Sequence, residues 1–308
     1  MPSRGSSSKQ WQRLKPVELD LLESIGLPSK GDSRLLDHKT QERFYTKIVE
    51  RYLSFCSDVG DRDALLQQFA SLATRKQQGV SSRTDPSTPD AATAMASSAA
   101  PAKFPTPAPQ TKDLSTVLMA LRKLREGLVA SKRVDDFATQ TYLFNIRTAV
   151  LVKHVESYHP AILYLLHTIH PNHPLTSFEL REITGYLVLD AACRRNDLAE
   201  AFLLRHRFKL RDPKIDAILR ALVRDDFLSF VRIKRSVDGH KAIFLEFYDD
   251  TMKRHTLKCF GRAYLAVDTE YLERATGSTF AKLVEKEGVG WHSDGSKVVI
   301  RSIKGRSG

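Results

Sequence analysis

From Asp113 onward, apolar residues recur every three or four positions in one run after another. Each run closes within roughly 10–20 residues, the length of an ordinary globular helix, at a short turn of Asp, Asn, Pro or Gly. Short turns oblige successive helices to fold back on one another. The chain is therefore expected to be mainly α, a stack of helix pairs. The runs are Leu114–Ala130, Val134–Val155 (Phe137, Tyr142, Phe144, Ile146, Val150) and Pro160–Ile169, which the Pro171-Asn172-His173-Pro174 turn closes. Thr176-Ser177-Phe178-Glu179 has the form of a capping box, in which hydroxyl and carboxylate satisfy the first free amides; its helix is expected to reach about Arg195. Asn196-Asp197 opens Leu198–Arg205. Asp212-Pro213 opens a helix with Ile215, Ile218, Leu219 and Leu222 apolar, and Asp225-Asp226 opens one with Phe227, Phe230, Val231 and Ile233. A longer helix is expected from His240 to about Leu265. No fixed sequence period appears, so any repeat is structural.

The last 45 or so residues change pattern. Ala266-Val267 reads as a very short strand. Asp268 caps a helix over Thr269–Ala275 that Gly277 ends, and Ser278 caps another over Thr279–Lys286 that Gly288 ends. Asp294-Gly295 between two apolar runs signals a hairpin, with Val298 and Ile300 alternating with Val299 and Arg301. Helix, turn, helix, hairpin in this order predicts a winged-helix-like module over 266–303, with a basic tail at 304–308.

Before Asp113 the chain is less regular. Residues 1–15 are rich in Ser, Lys and Arg and read as a disordered tail; the same composition suits a mitochondrial transit peptide. A helical segment over 16–76 follows, with Val17–Ile25 after Pro16, then Leu35–Phe55 with Phe44, Ile48, Tyr52 and Phe55 on one face, then Asp63 to about Arg75. Residues 77–111 are Ser-, Thr-, Pro- and Ala-rich with Phe104 as their one aromatic, too little apolar surface to offset chain entropy. They read as a disordered linker ahead of a helical-repeat domain over 112–265.

Composition narrows the function. No run approaches the roughly 18 apolar residues of a membrane span. Cys56, Cys193 and Cys259 are far apart and odd in number, which argues against a disulfide framework and for a reducing compartment, cytosol or nucleus. No phosphate-binding, dinucleotide, metalloprotease or serine-hydrolase motif is present, so no catalytic residue, cofactor or small-molecule substrate is expected. His167, His170 and His173 stand three apart with His154 and His159 nearby, but Pro171 and Pro174 interrupt the helix face they would share; no metal site is expected.

Charge is the remaining signal. The net charge is +12, and residues 201–262 hold 15 Lys and Arg against 8 Asp and Glu. The cations fall into groups: Arg205, Arg207, Lys209 and Arg211; Arg232, Lys234 and Arg235; Lys253, Arg254, Lys258 and Arg262; and Lys297, Arg301, Lys304 and Arg306. Cations at helix C-termini account for part of the first two groups. Clustered positive charge attracts polyanions and acidic partners. The second helix of the expected winged helix carries Lys282 and Lys286 against Glu285 and Glu287, which disfavours sequence-specific reading of a DNA groove. Trp291 on the hairpin is expected either to pack on the module's core or to anchor a partner.

Helix pairs leading into a terminal winged helix resemble the PCI class of scaffold subunits. The resemblance covers 112–303 and rests on three stretches: Asp197-Leu-Ala-Glu-Ala-Phe-Leu-Leu-Arg-His-Arg-Phe, Ile215 to Phe230, and Val289 to Ile303. Within the class the chain looks most similar to the short group of COP9 signalosome subunit 8, a proteasome-lid non-ATPase subunit and translation initiation factor 3 subunit k, with GANP-like mRNA-export scaffolds as a related branch. The resemblance implies a non-catalytic subunit that docks to other PCI-type subunits through its winged helix. The alternative is an adaptor that holds RNA on its basic surface. The chain departs from the group in being basic and in carrying the 77–111 insert.

Overall fold

The computed structural model describes residues 20–59 and 109–301, with side chains described over 20–57 and 114–301. The expected tail at 1–15, the helix from Asp63, nearly all of the 77–111 linker and the tail at 304–308 lie outside the described residues. The described chain is mainly helical, with one three-stranded antiparallel sheet near its end.

Two compact units divide it, and the boundary lies between Arg133 and Val134. The first contains α1 (Leu21–Ser24), α2 (His38–Val59) and α3 (Pro109–Ala130). Helix α3 was expected to open the repeat domain; instead it packs on α2, with Leu114, Val117, Leu121, Leu124 and Leu128 buried, as are Phe44, Ile48 and Phe55 of α2. Helix α3 also begins inside the expected linker. Gly127 makes this packing feasible, since a Cβ there would stand 2.7 Å from the backbone oxygen of Leu35.

The second unit runs from α4 (Asp136–Leu151) through α5 (Val155–Tyr164), α6 (Ser177–Leu189), α7 (Leu198–Arg207), α8 (Pro213–Val223), α9 (Phe227–Lys234), α10 (Gly239–Glu246) and α11 (Asp249–Ala263). Consecutive helices pack pairwise, α4 on α5, α6 on α7 and α8 on α9, while α10 lies against α4 and α6. Aspartate opens most of them. Asp135, Asp197, Asp212, Asp226 and Asp238 each accept a backbone amide of the first turn of α4, α7, α8, α9 and α10; such a cap contributes about 1 kcal/mol. The capping box at Thr176 and Glu179 forms as expected.

Two long helices anticipated from sequence are each broken. The run 134–155 ends at Leu151, where Lys153 turns left-handed at φ 53°, and α5 starts before Pro160 rather than at it. The run from His240 splits at Phe247 and Tyr248, whose amides bond three residues back to Phe244 and Leu245, and Asp249-Asp250 then starts α11. Helices α5 and α6 each run into a π-turn, Leu165–Ile169 and Asp190–Arg194. The second places Asp190 wholly inside the protein. There Tyr158 of α5 donates to it at 2.6 Å and Arg194 grips it at 2.6 and 2.7 Å. Burial, and then the Asp190 charge, push the Tyr158 hydroxyl above its ordinary value.

After α11 come β1 (Ala266–Asp268), α12 (Thr269–Thr276), α13 (Phe280–Glu287), β2 (His292–Asp294) and β3 (Lys297–Val299). Strand β3 lies between β1 and β2, pairing Val298 with both Val267 and Ser293. Left-handed Gly277 and Gly288 end α12 and α13, as expected; Thr279, not Ser278, precedes α13, and neither it nor Asp268 makes a side-chain cap. The core of this segment is Leu257 and Phe260 of α11 with Val267, Leu272, Ala275, Leu283 and Val298.

One ion pair ties α10 to the start of α8. Lys241 Nζ lies 3.0 Å from Asp212 and 3.2 Å from Asp238, with Lys241 and Asp212 only 15% and 11% exposed. Burial opposes ionisation of Asp212, but the hydrogen bond and charge of Lys241 and the amides of Ile215 and Lys214 outweigh it, so the carboxyl sits below its ordinary range. Burial also opposes the charge on Lys241, and contact with Asp212 overcomes it and raises the ammonium. A depressed carboxyl loses its contribution as pH falls from about 4 through the folded value, and a raised ammonium loses it as pH rises from about 10.4 through its own. Between those limits the pair is at full strength. Lys241→Met is expected to lower the unfolding free energy by about 3 kcal/mol at pH 7, the cost of stranding a buried charge. In urea titrations the gap to the parent protein should narrow below pH 4.

Candidate functional site

Helix α9 ends in Arg232, Lys234 and Arg235, where cations complement the helix dipole. Helix α11 begins with Asp249 and Asp250. Lys234 pairs with Asp249, so the end of one helix is tied to the start of the other. Beside this pair lies an open cleft of about 340 Å³. From α9 it is lined by Phe230, Val231, Lys234 and Arg235, and from α11 by Asp249, Met252, Lys253 and Thr256. The last turn of α12, Ala275 to Gly277, closes one side, and Ala242 of α10 contributes to the wall.

Several of the basic positions read from sequence are engaged by neighbours within the fold. Arg205 is spent on Asp216 of α8, with its second contact at 2.9 Å. Lys234 is spent on Asp249. Lys297 sits in register between Asp268 on β1 and Asp294 on β2, cross-strand neighbours of opposite charge. Arg301 turns back to donate to the carbonyl of Arg262 at 2.8 Å, serving the C-terminus of α11. Arg207 lies over the ring of Phe208, and Lys209 is a left-handed turn residue at φ 49°. Among the described residues, Arg235, Lys253, Arg254, Lys258 and Arg262 form no ion pair, whereas the charge of Arg232 acts on the Asp226 carboxylate. Of these, Arg254, Lys258 and Arg262 recur every four residues along α11, opposite its buried Met252, Thr256 and Phe260. Arg235 and Lys253 face the cleft.

The histidines do not converge. His170 Nδ1 accepts the amide of Leu175, and His173 pairs with Asp136 at 2.8 Å. Among the described residues no three His, Cys, Asp or Glu side chains are grouped to hold a metal ion. Cys259 Sγ stands 3.4 Å from His255 Nε2, and Asp225 approaches that same nitrogen at 3.7 Å. A nucleophile–base–orienter chain uses opposite nitrogens of the ring, so this trio lacks that geometry. Burial pushes the Cys193 thiol up, away from the reactive thiolate. No described helix is long and apolar enough to cross a membrane.

Trp291 is half-buried and packs against the Phe260–Val298 cluster, its ring over Gly261 of α11. The sequence held both core and interface readings open; the ring is committed to the core over part of its surface. The cleft itself was missed. The Asp249-Asp250 pair, of the same form as the Asp225-Asp226 pair that marked α9, was the available cue to a helix start beside it.

Comparison of the sequence with protein-family models gives no match, and a search of curated proteins finds no similar sequence.

If Trp291 holds the hairpin onto α11, Trp291→Ala should cost about 3 kcal/mol in thermal or urea unfolding. A ring serving only a partner would leave the melting curve of the isolated chain unchanged.

Proposed function

We propose that the chain is a non-catalytic assembly subunit of the PCI type, acting in the cytosol or nucleus and docking through a C-terminal winged helix. The observation that carries this reading is the element order α11–β1–α12–α13–β2–β3 with β3 central, following directly on packed helix pairs. That is the order of a winged helix at the end of a helical stack. The sheet supplies a docking edge. All of β2, His292 to Asp294, is exposed and pairs on one side only, leaving backbone groups for another strand. Purification of the tagged full-length chain from native extract, followed by mass spectrometry, is expected to recover several PCI-type subunits together. Recovery of the chain alone at native concentration contradicts the proposal.

A second reading, an RNA-associated adaptor, is favoured by the stripe of Arg254, Lys258 and Arg262. Each cation withdrawn from a phosphate of a single strand should flatten the salt dependence of binding by about 0.7 of a unit of slope. Replacing all three with Gln is therefore expected to lower the slope by about 2 for a bound single-stranded oligoribonucleotide. An unchanged slope removes RNA from this surface.

A further inference from the structure

The cleft beside α9 and α11 holds binding chemistry that no contact within the described chain uses. Arg235 and Lys253 line it without a carboxylate partner, while Lys234 beside them is already held by Asp249. Below these cations the surface is apolar: Phe230, Met252 and Ala275 form a buried floor, and Val231 and Ala242 a half-buried wall. Cationic head groups above an apolar floor match a ligand that alternates carboxylates with apolar side chains.

We propose that this cleft receives an acidic peptide segment of a partner protein, an apolar side chain settling between Val231 and Met252 and carboxylates meeting Arg235 and Lys253. The inference rests on the assembly reading only for the partner's being a protein; the cleft and its charges stand without it. Three features favour a peptide over a nucleic-acid strand. The aromatic residue of the lining, Phe230, is 1% exposed and offers no platform for a stacked base. The cleft is closed by the C-terminal turn of α12, where helix-end carbonyls can accept the N–H groups of a peptide, donors that a phosphodiester linkage lacks. Outside the Lys234–Asp249 pair the lining holds two cations, Arg235 and Lys253, fewer than the continuous row that tracks a phosphate backbone.

The test is a selection of a displayed random-peptide library on the immobilised full-length chain, followed by titration of enriched peptides and of an oligouridylate while the methyl signal of Met252 is observed. Enriched peptides are expected to carry Asp or Glu flanking an apolar residue, to shift Met252, and to weaken as salt is raised. The double variant Arg235→Glu, Lys253→Glu should bind them about tenfold or more weakly, as expected when close charge pairs are removed. Lys282→Gln, Lys286→Gln, on α13 and outside the cleft, should bind as the parent does. Should the reversal prevent folding, Arg235→Gln, Lys253→Gln takes its place with a smaller loss expected. The proposal is overturned if the selected peptides show no acidic excess, if they bind the cleft variants as tightly as the parent, or if the oligouridylate moves Met252 at lower concentration than any peptide. A chain that purifies alone from extract yet selects acidic peptides here loses the assembly reading and keeps this one.

Discussion

Phe260 is the contact on which the C-terminal half depends. It sits on α11, 2% exposed, with the rings of Phe227 on α9, Tyr264, and Tyr271 on α12 at centroid distances of 6.0, 5.3 and 5.7 Å. Around it Leu257, Leu272, Leu283 and Val298 join α11 to α12, α13 and the central strand. Burying side chains of this size contributes about 1.5–3 kcal/mol each, so the cluster is worth far more than the few backbone bonds of three-residue strands. One helix is thus both the last member of the stack and the first of the terminal module. With that face committed to the core, the opposite face must meet solvent, and that is where Arg254, Lys258 and Arg262 stand.

Polar interactions set the geometry that the apolar core leaves open. Aspartate caps start five of the helices of the second unit, and buried carboxylates then lock particular pairs. Asp190 joins α5 to the π-turn that follows α6, while Asp212 and Lys241 join α8 to α10. A buried carboxylate is costly unless every lone pair is answered, and such groups specify one arrangement rather than simply adding stability. The cleft follows from the same logic. The Lys234–Asp249 pair fixes the approach of α9 to α11 and leaves Arg235 and Lys253 free beside it.

Much of the fold was legible because its start signals are chemical. Asp212-Pro213, Asp225-Asp226 and the Thr176–Glu179 box each opened a helix where expected, and Asp294-Gly295 marked the hairpin. Helix ends were harder. Lys132, Lys153, Asn196, Lys209 and Asp225 all adopt positive φ without being glycine, so the usual stop signal is missing at the break after Leu151. The π-turns carry no composition signal, since they arise from packing. Of the basic site, the stripe on α11 was readable from its spacing. The pairing of Arg205 with Asp216, and of Lys234 with Asp249, was not, because partners 11 and 15 residues apart meet only after the helices pack. Lys297 between two aspartates required the sheet order, which a hairpin signal alone does not give.

Helices α11, α12 and α13 and the sheet form one cooperative body built on Phe260, so that the helical stack and the terminal segment cannot separate. Native-state hydrogen exchange on Phe260→Ala tests it most directly. Protection is expected to fall together at Val298 in β3, Leu272 in α12 and Leu257 in α11, by similar factors. Loss of protection confined to α11, with Val298 and Leu272 unchanged, would contradict it.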